Sequence, residues 1–164
     1  MESSQNVEIR IPFLLWARLV HQLRRRGGGV RESGAFLLGK QNETIPRIKA
    51  FICYDDLDTR ALESGAITLH AEGYAALWQH CREHGLQVLG DIHTHPGGDV
   101  RQSAIDQKHP MIPIAGHTAM IAPDFGRTSI WSLSEVGVYE YLGRYKWRAH
   151  PASQGRRRMS LCLW

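Results

Sequence analysis

Cysteine is scarce in this chain and poorly placed for cross-linking: Cys53, Cys81 and Cys162 are scattered and odd in number. Neither a disulfide framework nor a Cys-x-x-Cys zinc knuckle is available, which suits a reducing cytoplasm. Long apolar runs are missing too, so nothing reaches the roughly 20 residues that a bilayer requires. After Met1, the residues Glu2-Ser3-Ser4-Gln5-Asn6 have neither the basic nor the apolar region of a secretion signal. A soluble, cytoplasmic protein with no membrane contact is expected. Repeats and low-complexity segments are also absent. The net charge of +4 and a pI near 9.2 invite a nucleic-acid reading, but the basic residues concentrate in Arg24-Arg25-Arg26 and Arg156-Arg157-Arg158 without interleaved aromatics. Both triplets read as solvated arginines, the first meeting the negative end of a helix dipole. An acidic protein partner is the next explanation, and no nucleic acid is expected.

What is present is enough for one domain. At 164 residues, 43% of them hydrophobic, the chain can bury a core without covalent staples. Val7-Glu8-Ile9-Arg10-Ile11 alternates as a half-buried strand does, and residues 12–26 place Leu15, Leu19, Val20 and Leu23 at helical spacing. Gly27-Gly28-Gly29 ends that helix. Residues 35–38 and 45–54 predict two strands joined by the turn Lys40-Gln41-Asn42-Glu43, and 55–64 predicts an exposed acidic loop. Residues 70–84 predict a helix with Tyr74, Leu77, Trp78 and Cys81 on one side. Strands are expected at 86–92, 117–122, 129–133 and 136–142. Trp16, Trp78 and Trp131 are expected to cover the sheet or fill the core. The fold class is α/β: a single-domain mixed β-sheet flanked by helices.

One short stretch carries the chemistry. In Gly90-Asp91-Ile92-His93-Thr94-His95-Pro96 the two histidines lie two apart at a strand end and so face the same side. Pro96-Gly97-Gly98 stops the strand, which lets Asp106 return beside them. Two imidazoles and a carboxylate leave a fourth tetrahedral position for water, the arrangement of a catalytic zinc. Thr94 points away by alternation, and Asp91 shares the histidine face, as a partner of an imidazole or as an ordinary strand-end carboxylate. Ser103 and Asp106, three apart, also have the spacing of a helix capping box. His109 and His117 do not fit the ligand pattern.

The run His93-Thr94-His95-Pro96, seven residues, then Ser103-Ala104-Ile105-Asp106 resembles the signature of the JAMM metalloproteases, the active branch of the JAB/MPN family. Glu32-Ser33-Gly34-Ala35-Phe36-Leu37-Leu38-Gly39 resembles that family's other signature, a glutamate just before an apolar strand ending in glycine. The resemblance implies the family's cytidine-deaminase-like layering over residues 1–147, with 148–164 as a tail that is disordered by default. It implies a zinc ion held by His93, His95 and Asp106, Glu32 as general acid and base, and Ser103 as a group that positions or stabilises the oxyanion. Zinc lowers the pKa of bound water from near 16 to about 7, and a carboxylate beside that water can pass its proton to a leaving amine.

The same resemblance implies an isopeptidase or peptidase that cuts after the terminal glycine of ubiquitin or a ubiquitin-like modifier. The small size resembles bacterial JAB proteins that accompany activating and conjugating enzymes, some of them in antiviral defence. Residues 55–67 and 107–116 are the segments expected to meet the substrate. Two other readings remain: hydrolytic release of cargo from a sulfur-carrier protein, and a non-catalytic scaffold. A nucleoside deaminase would need a Pro-Cys-x-x-Cys element, which is missing.

Overall fold

A computed structural model describes residues 8–40, 42–153 and 158–164. Val7, Gln41, Arg156 and Arg157, which figured in the expectations above, lie outside the described residues. Strand β1 (Ile9–Pro12) leads directly into helix α1 (Phe13–Gly27), followed by β2 (Gly34–Lys40) and β3 (Arg47–Cys53). Short α2 (Tyr54–Leu57) and helix α3 (Ala71–His84) precede β4 (Gln87–Thr94), α4 (Ala104–Lys108) and β5 (Thr118–Ala122). A 3-10 turn (Asp124–Gly126) and strands β6 (Gly137–Gly143), β7 (Lys146–Ala149) and β8 (Met159–Cys162) complete the order. The eight strands form one mixed sheet in the order β7-β6-β5-β4-β2-β3-β1-β8. β4 runs parallel to β5, and β1 runs parallel to both β3 and β8.

Alternation along β2 shows how the sequence builds two cores from one strand. Ala35 and Leu37 face α1, where Trp16, Leu19, Val20 and Leu23 are buried with Ile9, Ile11 and Met120. Phe36 and Leu38 face the other way, against Leu77 and Cys81 of α3 and Tyr54 of α2. Helices on both faces of a largely buried sheet account for strand sequences that are nearly all apolar at the centre. The exposed faces of α1 carry its arginines, and Arg26 is paired at 2.8 Å with both Asp55 and Asp56.

Two irregularities bend this sheet. The register of β2 against β4 passes from Leu37↔Gly90 to Leu38↔Val88, leaving Leu89 as an extra residue. Against β3 it passes from Leu38↔Ala50 to Gly39↔Ile48, leaving Lys49 extra. Such bulges add local twist, and the sheet curls around α1 until its far edge approaches its middle. Arg158, just before β8, reaches across this closure. Its Nε donates to Thr118 Oγ1 of β5 at 2.6 Å, its guanidinium donates to the Gly116 carbonyl, and Nη1 lies 3.2 Å from Glu140 of β6. Arg158 and Glu140 are 6% and 5% exposed, so the pair is a buried ionic tie.

The structure corrects several expectations. Residues 129–133 form no strand: Ser129 instead gives its carbonyl to Trp16 Nε1 at 3.1 Å, and Trp131 stacks on Phe13 at 4.8 Å while remaining 76% exposed. Trp78 is also exposed. The end of the chain is ordered as β8, because Ile9–Pro12 offers a free edge on which Met159–Cys162 pairs. Arg158 is buried rather than solvated, because Glu140 waits across the curl. Residue 55–57 of the acidic loop belong to α2. Among the described residues no helix is long and apolar enough to cross a membrane.

Candidate metal centre

Strand β4 delivers the first ligand candidates. The bulge at Leu89 shifts the strand's phase, so that Ile92 enters the α1 core while Asp91 and His93 face the α3 side. His95 follows just beyond the strand end, and its backbone N–H continues the pairing by donating to the Ala122 carbonyl at 2.9 Å. Asp106 arrives from α4. Its Oδ1 lies 3.3 Å from His93 Nε2, its Oδ2 lies 3.3 Å from His95 Nε2, and the two Nε2 atoms are 3.2 Å apart. Two ligands at about 2.0–2.1 Å from a zinc ion in tetrahedral geometry are about 3.3 Å apart. The two imidazole nitrogens, and each nitrogen with the carboxylate oxygen it faces, are therefore already spaced as neighbouring ligands of a tetrahedral zinc are, and these residues fit that ion.

The donor set has its own requirement for positive charge. His95 Nδ1 lies 2.9 Å from the Asp99 carbonyl, which can only accept, so Nδ1 carries the hydrogen and Nε2 is left to point at the carboxylate. A lone pair facing an anionic oxygen needs a proton or a cation between them. Accordingly, the hydrogen bond to Asp106 raises the His95 pKa, assisted by the Asp99 carbonyl against the opposing effect of burial. Burial would raise Asp106, but the hydrogen bonds from His93 and His95 outweigh it and hold its carboxyl below the ordinary range.

These shifts have opposite pH signatures. The raised His95 contributes stability that is full below its ordinary value of 6.5 and lost as pH rises through the folded value. The lowered Asp106 contributes stability above its ordinary 3.8, lost only as pH falls further. A zinc ion held by these residues would compete with the proton on His95. The gap in melting temperature between zinc-loaded and chelator-treated protein is thus expected to widen between about pH 6 and pH 8, as calorimetry at both ends can check.

Ser103 caps α4 and orients the carboxylate. Its Oγ accepts from the Asp106 N–H at 3.1 Å, and its own N–H donates to Asp106 Oδ2 at 2.6 Å, a complete capping box. The cap and the site are one arrangement, since Oδ2 is also the oxygen nearest His95. Glu32 comes from just ahead of β2. Ser33 pins it: the Ser33 N–H donates to Thr94 Oγ1 at 3.0 Å, the Thr94 N–H donates to the Ser33 carbonyl at 2.9 Å, and Ser33 Oγ donates to the Leu23 carbonyl of α1 at 2.7 Å. Thr94 points inward as alternation requires. Half-buried Glu32 has its pKa raised by burial, offset by the nearby His93 and His95, with Asp106 adding to the rise. Gly34, the next residue but one, pairs with His93. A Cβ there would lie 2.6 Å from the Ile92 carbonyl oxygen and overlap the Tyr54 ring, so only glycine lets the two strands and that ring meet.

Asp91 serves His117 rather than either ligand. Its Oδ2 lies 3.0 Å from His117 Nε2, with both side chains buried, and the pair joins β4 to the start of β5. Nothing local to His117 marks a partner 26 residues away. Also unforeseen was the left-handed backbone of Asp124 and Phe125, with φ of 49° and 55°. Each such residue costs roughly 1–3 kcal/mol. Their N–H groups donate to Gly97 O at 3.0 Å and His95 O at 2.8 Å, which fixes the turn after the second histidine.

The centre opens into a cleft of about 880 Å³. Glu32, His93, His95, Ser103 and Asp106 all line it, as do residues 65–67 and 108–111 from the two segments singled out in the sequence.

Solved structures share this architecture. The chain is similar to protein DSY2949 from Desulfitobacterium hafniense, with a TM-score of 0.59, 14% identity, and coverage of 94% of this chain and 92% of that one. It is similar also to a protein from Salinibacter ruber (strain DSM 13855), with a TM-score of 0.56, 21% identity, and coverage of 90% and 94%. At these identities the likeness speaks for the fold. A family model for prokaryotic homologs of the JAB domain matches residues 15–133, from α1 past the end of β5. That match takes in Glu32, both histidines, Ser103 and Asp106, and the chain belongs to the prokaryotic JAB-domain family.

Proposed function

We propose that this protein is a zinc-dependent peptidase or isopeptidase that cleaves after the C-terminal glycine of a ubiquitin-like modifier, by deconjugation or precursor processing. The observation that carries this reading is the cluster of two imidazole nitrogens and one carboxylate, at separations of 3.2–3.3 Å, opening beside Glu32 into a cleft. The JAB family includes metalloproteases, and a scaffold has no use for an open three-ligand centre. His93, His95 and Asp106 would hold the ion. When bound, zinc acidifies a water and polarises a carbonyl. Glu32, whose pKa is raised by burial, accepts a proton within the cleft and returns it to the departing amine. Ser103, whose Oγ accepts from Asp106 N–H, retains its own hydroxyl hydrogen to donate to a developing oxyanion. A cleft with a sheet beside it suits an extended tail.

The test is incubation of zinc-loaded wild type with fusions of candidate modifiers, scored by intact mass for cleavage at the terminal glycine. Cleavage there, with none in a sulfur-carrier fusion, supports the reading. Cleavage of the carrier fusion alone would transfer the same chemistry to that substrate, and a protein that cuts none of them would leave the substrate claim refuted.

A further inference from the structure

The residues from His95 to Asp106 are held to the sheet at one point that no ligand touches. Tyr139 of β6 donates its hydroxyl to the Val100 carbonyl at 2.7 Å. The neighbouring Gly137 lets the loop come this close, because a Cβ there would lie 2.5 Å from Val100 O and 3.2 Å from Val100 Cβ. Val100 follows Asp99, whose carbonyl takes the His95 Nδ1 hydrogen. Two residues further on, Gln102 turns its backbone N–H toward the same phenol, and Ser103 begins the cap that orients Asp106. Asp99 stiffens the span between by accepting from Arg101 N–H and Nε–H at 2.9 Å.

We propose that Tyr139 is a positioning residue for the metal centre, its hydroxyl setting the separation of His95 from Asp106 by gripping the loop between them. The argument is geometric. One ligand lies four residues before the anchor's neighbour Asp99, and the other lies six after Val100, so this phenol is tied to both halves of the loop. His93 needs no such device, because β4 itself carries it. On the opposite flank, the left-handed Asp124 and Phe125 hold the His95 and Gly97 carbonyls, leaving the Val100 end dependent on Tyr139. Partners that orient metal ligands typically change metal affinity by about 10–100-fold when removed.

The proposal rests on the zinc reading of the site, and Tyr139→Phe tests it by removing one oxygen while keeping the ring. Zinc affinity, measured by competition with a chromophoric chelator, is expected to fall about 10–100-fold. The visible d–d spectrum of the cobalt-substituted protein is expected to shift as the His95–Asp106 separation relaxes. Gly137→Ala, which pushes the Val100 carbonyl off the strand with the hydroxyl intact, is expected to weaken zinc as well, and it serves if the phenylalanine variant does not fold. Tyr141→Phe on the same strand removes a hydroxyl that accepts from the Tyr145 N–H of the next turn, at 3.1 Å. Zinc affinity there should match wild type. Equal affinity and an unshifted cobalt spectrum in Tyr139→Phe would overturn the proposal, as would an equal loss in Tyr141→Phe. A wild type that takes up no zinc would remove the metal reading and the proposal together.

Discussion

Glu32→Gln is expected to retain zinc and lose hydrolysis by about 10²–10⁴-fold, the range that general acid-base catalysis contributes. The substitution is nearly isosteric. It leaves the Ser33–Thr94 hydrogen bonds and the Ser33 tie to α1 in place, so the cleft should keep its shape. It removes only the ability to take and return a proton. Metal content by mass spectrometry and turnover on a cleavable fusion separate this outcome from His93→Ala, which is expected to lose both metal and turnover because it deletes one of the three candidate ligand side chains. Full turnover in Glu32→Gln would dismiss Glu32 as the proton carrier, and an empty Glu32→Gln would make it a structural part of the metal centre.

The largest effect on stability is expected at Arg158. Arg158→Ala takes from Glu140, which is 5% exposed, its buried guanidinium partner, and breaking a buried pair from one side costs about 3–5 kcal/mol. For a chain of this size that corresponds to a drop of roughly 6–20 °C in melting temperature. Glu140 keeps His150 at 3.2 Å and Arg148 at 3.5 Å, which argues for the lower half of the range. The double variant Glu140→Gln/Arg158→Met should recover part of the loss, since the buried charge is gone. If Arg158→Ala melts with wild type, the tie across the curled sheet contributes nothing and β8 holds by its backbone pairing to β1 alone.

Much of the candidate metal centre was legible because its parts are close in sequence. His93 and His95 share a strand end, Asp106 returns within one loop, and both relations follow from alternation and turn chemistry. Glu32 was not legible on those grounds. It lies 61 residues before His93, and it is brought there by long-range contacts, the pairing of Gly34 with His93 and the hydrogen bonds of Ser33 with Thr94; the resemblance to a family signature supplied it. The supports were out of reach for another reason: the Asp99 carbonyl is a backbone atom, and every residue has one. Tyr139 and His117 look like any polar residue at a strand position until the neighbouring strand is known.

The fold divides the same way. Helices α1 and α3 announce themselves by spacing, and β2 to β5 by apolar runs. Residues 129–133 read as a strand through Ile130, Trp131 and Leu133, yet Ser129 and Trp131 are occupied with Trp16 and Phe13. The C-terminal strand failed to show because Met159-Ser160-Leu161-Cys162 is short and follows an arginine run. What secures it is Arg158 meeting Glu140, a long-range contact that composition reads as two unrelated surface charges.

The extra residue at Leu89 carries a consequence for insertion and deletion. Upstream of it Val88 faces the α3 core, and downstream Asp91 and His93 share that side. Removing one residue at this point would be a phase error for the strand: Ile92 would be turned out toward the cleft and both Asp91 and His93 inward against α1. A point substitution at a ligand deletes one corner of the site, whereas a single lost codon here would reverse the strand that presents it.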